Sequence, residues 1–453
     1  MYGRNRLGLL LLALLGLGFG ALMAGHAMAD SASLEKGEKD AVVETVGNML
    51  TLNYVFPDRA ALAKDKITGA MAAGDYDQIA DPSTFAQRLT ADLQSDTHDK
   101  HLRVFVASGE GAPSGVPPAP ANTGFARVDR LKGNIGYIKL LNFRLPGPFD
   151  LAAEQAMADL SSTDALIIDM RDNRGGDPDS VAYFCSFFFD PKSPVHINNL
   201  IYRKLGTNEY TITEYWTKPV TTSYLRKPVY LLTSKRTFSG GEEFVNDLEV
   251  QKRAKVFGEI TGGGANPGDV MSINSRFRIF VPSGRAENPV TKTSWEGTGV
   301  TPDVMVDEKQ AFQAAFLEII GKRGEAAAAA VKNDLGTSNG VDPYVEAHLL
   351  KFRTTALAGG AEAVRRHLEE LARGTPNYDL MSPYLANVTK AQLPLLQADI
   401  SKLGIIKTVV FNHVGSDGLD VYDVTLANGA RQCGIFVTPD GKIAFVWIRP
   451  AAA

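Results

Sequence analysis

The chain has 453 residues, 44% of them hydrophobic and 22% charged, with a formal net charge of −4. That balance belongs to folded domains, two or three at this length, and excludes a disordered chain. The near-even charge offers no basic face for a nucleic acid, so no nucleic-acid partner is expected.

Arg4 and Arg6 precede an apolar stretch from Leu7 to Ala24, followed by the small-residue series Ala27-Met28-Ala29. This pattern reads as a secretory signal over residues 1–29, cleaved before Asp30. The alternative, a membrane anchor, needs about 20 apolar residues, and this glycine-studded stretch is at the short end. No later segment is apolar enough to cross a bilayer, so the expectation is a secreted, periplasmic protein. Cys185 and Cys433 permit at most one disulfide and have no metal-type spacing; both are expected free, Cys185 as a small buried hydrophobe.

Residues 30–115 read as a helical segment: Val43, Val46, Met49 and Leu50 share a helical face, and "DPSTFAQRL" offers a fresh helix start. The small-residue loop "SGEGAPSGVPPAPANTG" closes it. From residue 116 to 322 the pattern becomes α/β. "NIGYIKL" and "DALIIDM" are strand candidates separated by the helix "PFDLAAEQAMADL", which implies a parallel crossover within a mixed sheet. A further strand, "PVYLLT", leads into "RTFSGGEEF", and "AKVFGEI" follows the helix begun there. Residues 323–340 read as a linker. Residues 341–453 then carry two amphipathic helices and four strands with Asn-Gly and Asp-Gly turns, a small α+β accessory domain of cystatin-like or cone shape.

Several residues could carry chemistry. Ser239 follows a strand and opens a helix, near that helix's positive end, and Gly240 beside it could present an unobstructed N–H to an oxyanion. The same "SGGE" also reads as a capping box in which Ser239 and Glu242 satisfy each other's backbone. Local spacing leaves both readings standing. Gly175 and Gly176 follow a neighbouring strand, where open α/β sheets place ligands, or else form a polar turn. The base would come from His98, His101, His196, His348, His367 or His413. "HDKH" lacks a third nearby ligand, so no metal is expected. "GEITGGGANPG" lacks the Gly-Lys-Ser/Thr of a phosphate loop; Gly262, Gly263 and Gly264 instead let the backbone pass close to a substrate. Glu296 is a loop carboxylate.

"DKHLRV", "GNIGYIKL", "DALIIDMRDNRGG", "PVYLLTSKRTFSGGEEF", "GEITGGGANPG" and "WEGTGVTPDV" run in order from about residue 90 to 306. Together they resemble the tail-specific, or C-terminal-processing, serine peptidases, in the branch of the tricorn core and the repeats of interphotoreceptor retinoid-binding protein. The resemblance implies Ser239 as nucleophile, His101 as general base and Glu296 as acidic partner. It implies Gly240 with Gly175 or Gly176 as oxyanion donors, a peptide or protein substrate, and no cofactor. Lys100 stands where the tricorn-like pattern has a second serine, so Asp96 or Asp99 is an alternative partner for the ring. The processing branch uses a lysine absent from "GEITGGGAN", which leaves Lys255 as a remote candidate, and no PDZ module is visible. The same fold also serves as a carrier of apolar ligands, and an esterase would share the serine chemistry.

Overall fold

The structure is a computed structural model and describes residues 33–107, 123–324, 329, 344–415 and 417–451. The expected signal peptide and most of the 323–340 linker lie outside the described residues. Among the described residues no helix is long and apolar enough to cross a membrane.

The chain opens with three helices, α1 (Lys36–Asn53), α2 (Pro57–Ala72) and α3 (Pro82–Thr97). Proline opens α2 and α3, where its missing N–H is harmless, and the Asp81 carboxylate caps α3 by accepting from the Thr84 N–H. Val46, Leu50, Ile67, Phe85 and Leu89 are fully buried on the shared face. That face packs against the strand β1 (Arg103–Val106), so the loop carrying His101 is held by the helical unit's own core.

The central elements follow in order: β2 (Phe125–Leu131), β3 (Ile135–Leu140), α4 (Pro148–Asp159), β4 (Ala165–Asp169), α5 (Pro178–Ser186), β5 (His196–Arg203) and β6 (Tyr210–Trp216). Then come β7 (Val229–Thr233), α6 (Gly240–Val250), β8 (Lys255–Gly258), β9 (Gly268–Ser272), β10 (Phe277–Pro282), β11 (Gly284–Glu287), β12 (Val304–Met305), α7 (Glu308–Gly321) and β13 (Val345–His348). A seven-stranded sheet runs β12-β8-β7-β4-β3-β2-β13. It is parallel from β3 to β12 and antiparallel at β2 and β13. Its inner strands are apolar without alternation because both faces are covered. Leu166, Ile168 and Leu231 face α4, α5 and α6, while Ala165, Ile167 and Leu232 face α7.

Two smaller sheets, β1-β10-β9 and β11-β5-β6, are built from segments with no strong alternation, and the sequence did not suggest them. β6 and β9 are mostly exposed, so burial never imposed an apolar pattern on them. The C-terminal part has α8 (Gly360–Arg373) and α9 (Pro383–Ser401) against an antiparallel sheet of β14 (Ile406–Val414), β15 (Asp420–Leu426), β16 (Gly429–Val437) and β17 (Ile443–Pro450). Cys185 and Cys433 are buried and free.

Phe244 anchors α6 in the core: it is fully buried and stacks on Phe184 with ring centroids 5.2 Å apart. Phe244→Ala should lower stability by about 3–5 kcal/mol, read as a shift in urea midpoint. A loss below about 1 kcal/mol would contradict this anchoring.

Candidate active site

Ser239 lies between β7 and α6, at the carboxyl edge of the parallel sheet. The turn before it is bound to the loop after β4. The Phe238 N–H donates to Asn173 O at 3.0 Å, and Thr237 Oγ1 donates to Met170 O at 2.8 Å. Ser239 itself has φ 57° and ψ −128°. Such a backbone costs about 1–3 kcal/mol in a non-glycine residue and persists only where its surroundings enforce it. Gly175 is part of that enforcement: a Cβ there would stand 2.7 Å from Ser239 Cβ. The hydroxyl makes no capping hydrogen bond. Only the other half of the box forms, with Glu242 Oε2 accepting from the Ser239 N–H at 3.0 Å.

The neighbouring amides differ in what they are free to do. The Gly175 N–H is committed to Asn173 Oδ1 at 2.8 Å. The N–H groups of Gly176 and Gly240 make no hydrogen bond among the described residues. They also lie together, since a Cβ on Gly240 would be 3.1 Å from Gly176 N. Of the pair Gly175 and Gly176, Gly176 is the one whose N–H is left free among the described residues.

Glu242 organises the other wall. Its buried carboxylate also accepts from Thr261 Oγ1 at 2.5 Å, Gly263 N–H at 2.6 Å and Gly264 N–H at 2.8 Å. Burial raises its pKa, while these donors act in the opposite direction. The amides of the glycine run expected to pass close to a substrate are thus engaged within the protein. The Gly262 N–H donates to Thr237 O at 2.9 Å, so all three amides point inward, and of the three Gly264 alone lines the cleft beside Ser239. Gly264 must lack a side chain, because a Cβ would sit 2.2 Å from Phe238 Cζ and 2.8 Å from His101 Cε1.

His101, Asp99 and Glu296 are brought together, with candidate ligand atoms within 4.8 Å of one another. The imidazole packs on Phe238 and Phe280, at centroid distances of 4.6 and 5.6 Å. Its Nδ1 is buried without a partner, and no hydrogen bond joins the ring to the Ser239 hydroxyl. Burial, helped by the charge of Arg103, holds the imidazole down to about 4. Burial, then the charge of Asp99, pushes Glu296 up to about 8.

Glu296 receives one donor, the Ala265 N–H at 2.5 Å, and its Oε1 is unpartnered. Asp99 accepts from Tyr54 Oη at 3.1 Å, Asn266 Nδ2 at 2.8 Å and the His101 N–H at 3.0 Å. Its pKa is raised by burial, but these donors favour its anion. The three side chains could in principle hold a divalent cation, although the Asp99 oxygens are already engaged. Asp96 is not part of the cluster. Lys100 donates to Gly262 O at 2.5 Å, His98 is an exposed left-handed cap of α3, and Lys255 pairs with Glu318 at 2.7 Å.

A small cleft of about 40 Å³ opens beside Ser239, lined by Gly176, Gly240 and Gly264 together with Leu200, Pro267 and Trp295. Asn173, Phe238, Tyr54 and Asn266 were missed in the sequence; only Asn173, inside "RDNRGG", had a local signal. Glu242→Gln would turn one acceptor into a donor facing other donors. Stability should fall by about 1–3 kcal/mol, measured by chemical denaturation, and an unchanged midpoint would refute the role of this carboxylate.

Residues 134–306 match the model of peptidase family S41, and residues 33–126 match the N-terminal domain of peptidase S41 in eukaryotic IRBP. The chain is 30% identical over 176 residues to the chloroplastic carboxyl-terminal-processing peptidase 2 of Arabidopsis thaliana, a match covering 37% of this chain and 31% of that one. It thus spans about a third of that relative's length. Among solved structures it is similar to the photosystem II D1 C-terminal processing protease, with a TM-score of 0.39, 14% identity and coverage of 60% and 94% of the two chains. It is also similar to the tricorn protease, with a TM-score of 0.40, 13% identity and coverage of 62% and 35%. Residues 134–306 thus carry a peptidase family S41 domain, preceded by a match to that family's N-terminal domain over residues 33–126.

Proposed function

We propose that this protein is an exported serine peptidase that cleaves peptide bonds by acyl transfer at Ser239. The observation that carries the proposal is the turn itself. Ser239 is held at φ 57° with a hydroxyl free of capping, beside the two unengaged N–H groups of Gly240 and Gly176. The family match adds weight, and the apolar N-terminal stretch with its small-residue end supports export.

In the proposed reaction the neutral His101 imidazole takes the Ser239 proton as the oxygen attacks the substrate carbonyl. Gly240 and Gly176 donate to the resulting oxyanion, and losing one such donor typically costs about 10²–10³ in turnover. His101 then returns the proton to the leaving amine, and water releases the acyl-enzyme by the same steps. The ring must first move into hydrogen-bond reach of Ser239, a tightening that free enzymes often leave to substrate. The imidazolium formed in each step would be stabilised by Asp99, whose anion three donors favour against burial, whereas Glu296, pushed up to about 8, keeps its proton near neutral pH. The C-terminal sheet, covered on one face by α8 and α9, would be the cone-shaped accessory unit, and the substrate a peptide or protein. A carrier of apolar ligands at this cleft is less well supported, because its free space of about 40 Å³ is far below that of a ligand pocket.

Labelling of the mature protein by a fluorophosphonate tests the serine. Ser239→Ala should abolish labelling and His101→Ala should slow it by about 10²–10⁴. Labelling that survives Ser239→Ala would sink the proposal, and cleavage of peptides rather than simple esters separates peptidase from esterase.

A second expectation concerns the two carboxyls. Glu296→Gln replaces a protonated acid by its neutral isostere and should change the rate less than about 10-fold near pH 7, whereas Asp99→Asn should lower it by about 10² or more. The reverse ranking would restore Glu296 as the charged partner. Because the folded-state imidazole titrates below a free one, the base stays deprotonated well into acid. The labelling rate should therefore stay level from neutral pH down past pH 6.5 and fall only toward about 4. An acid limb centred at 6 or above would contradict the buried, uncharged ring.

A further inference from the structure

The cleft beside Ser239 has apolar walls and an acidic floor. Leu200, Pro178, Pro267, Ala286 and Trp295 line it, and Glu243 faces it from α6. Glu243 is 5% exposed and its Oε1 has no partner. One helical turn further along lies Asp247, fully buried, with neither carboxyl oxygen hydrogen-bonded. Asn198, fully buried on β5, is near enough to Glu243 to temper its charge, yet its amide completes no hydrogen bond. Buried polar groups are nearly always satisfied, so unpaired atoms on three side chains at one place call for an explanation. The catalytic scheme uses none of them.

Position supplies it. Ser239 caps α6 and Glu243 lies in its first turn, about 6 Å further along the axis, and both line the same cleft. A substrate whose carbonyl carbon is attacked by Ser239 would project the side chain of that same residue along this face. The distance suits the four-carbon stem of lysine, whose methylenes would lie on the apolar walls while its ammonium met the carboxyl. The rim has the matching sign, with Asp177 and Asp179 opening α5 and raising the Glu243 pKa through their charge. Without a cation, burial pushes Glu243 up to about 8 and Asp247 well up as well, so the pair keeps protons that an incoming ammonium would displace.

We propose that this cleft is the primary specificity pocket and that Glu243, backed by Asp247 and Asn198, selects a basic side chain, lysine before arginine, on the residue that donates the scissile carbonyl. This rests on the peptidase reading of Ser239 and deepens it to a substrate class. Glu243 is a specificity residue, since it would touch the substrate side chain and not the reacting atoms.

The test compares peptides that differ only at that residue, carrying lysine, arginine, norleucine or glutamate, with fluorophosphonate labelling used to count competent sites in each preparation. Wild type should cleave the lysine peptide with a kcat/KM at least about 100-fold above that of norleucine, the scale of one desolvated charge pair. Glu243→Gln should compress that ratio below about 10-fold, with the loss falling on the lysine peptide. Equal or better cleavage of norleucine by wild type would overturn the pocket assignment while leaving the peptidase reading intact. So would a Glu243→Gln variant that keeps the full lysine preference. A wild type that neither labels nor cleaves any of the peptides would overturn both. The wild-type comparison needs no variant, so poor folding of Glu243→Gln would leave it decisive.

Discussion

One carboxylate, that of Glu242, receives donors from two segments that would otherwise have no reason to meet. It accepts the Ser239 N–H from the turn after β7, and Thr261 Oγ1, Gly263 N–H and Gly264 N–H from the glycine run after β8. The first of these ties down a backbone at positive φ, which would otherwise relax. The others draw the glycine run across the front of Ser239, close enough that Gly264 tolerates no side chain. Placement in the first turn of α6 helps, because a helix N-terminus favours a carboxylate. The chain leaving Gly264 then continues the network. The Trp295 indole donates to Gly264 O at 2.9 Å, and the Ala265 N–H holds Glu296. Glu242 thus positions, through one loop, both the serine and the acid that stands beside His101.

Burial sets the electrostatics of that second group, and it acts in opposite directions on the two kinds of residue. Desolvation penalises the charged form of each, so the imidazole loses its proton more readily and the carboxyl keeps it. Glu296 and His101 are therefore both neutral near pH 7, which removes the attraction that would make them an ion pair in the resting state. Burial raises the pKa of Asp99 too, but three donors act against it and favour the anion. A negative charge held in place by fixed donors needs little reorganisation when the ring becomes charged, and this is the condition under which a buried charge assists a reaction.

Much of the fold was legible because burial writes directly into sequence. The strands β4 and β7 are buried at every position and apolar at most of them, since helices cover both sheet faces, and the helices of residues 36–97 show one apolar face. The glycine and serine motifs were legible too, because tight turns restrict residue choice. What was not legible depended on partners far away in the chain. Asp99 is fixed by Tyr54, 45 residues before it, and by Asn266, 167 residues after it. Gly175 and Gly176 are indistinguishable in sequence, and only the carboxamide of Asn173 decides which amide is left free. Phe238 looked like one more apolar residue before the serine, but its ring lies against His101.

The helix α6 shows why these functions are coupled. Four residues carry them: Ser239 at its start, then Glu242, Glu243 and Asp247. A rotation of about 100° per residue sends consecutive side chains to different neighbours. Glu242 turns toward the glycine run, whereas Glu243 turns toward the cleft with Asp247 beneath it on the same face. Phe244, Val245 and Leu248 seat the helix in the core between these polar faces. The strained serine, the acid that braces it and the carboxyl facing the cleft are thus fixed by a single rigid-body position. A core substitution that shifted α6 by a fraction of an ångström would move all of them together. On the proposed reading, reactivity and side-chain selection would both be tied to the packing of one helix and could not be tuned separately by changes in the core beneath it.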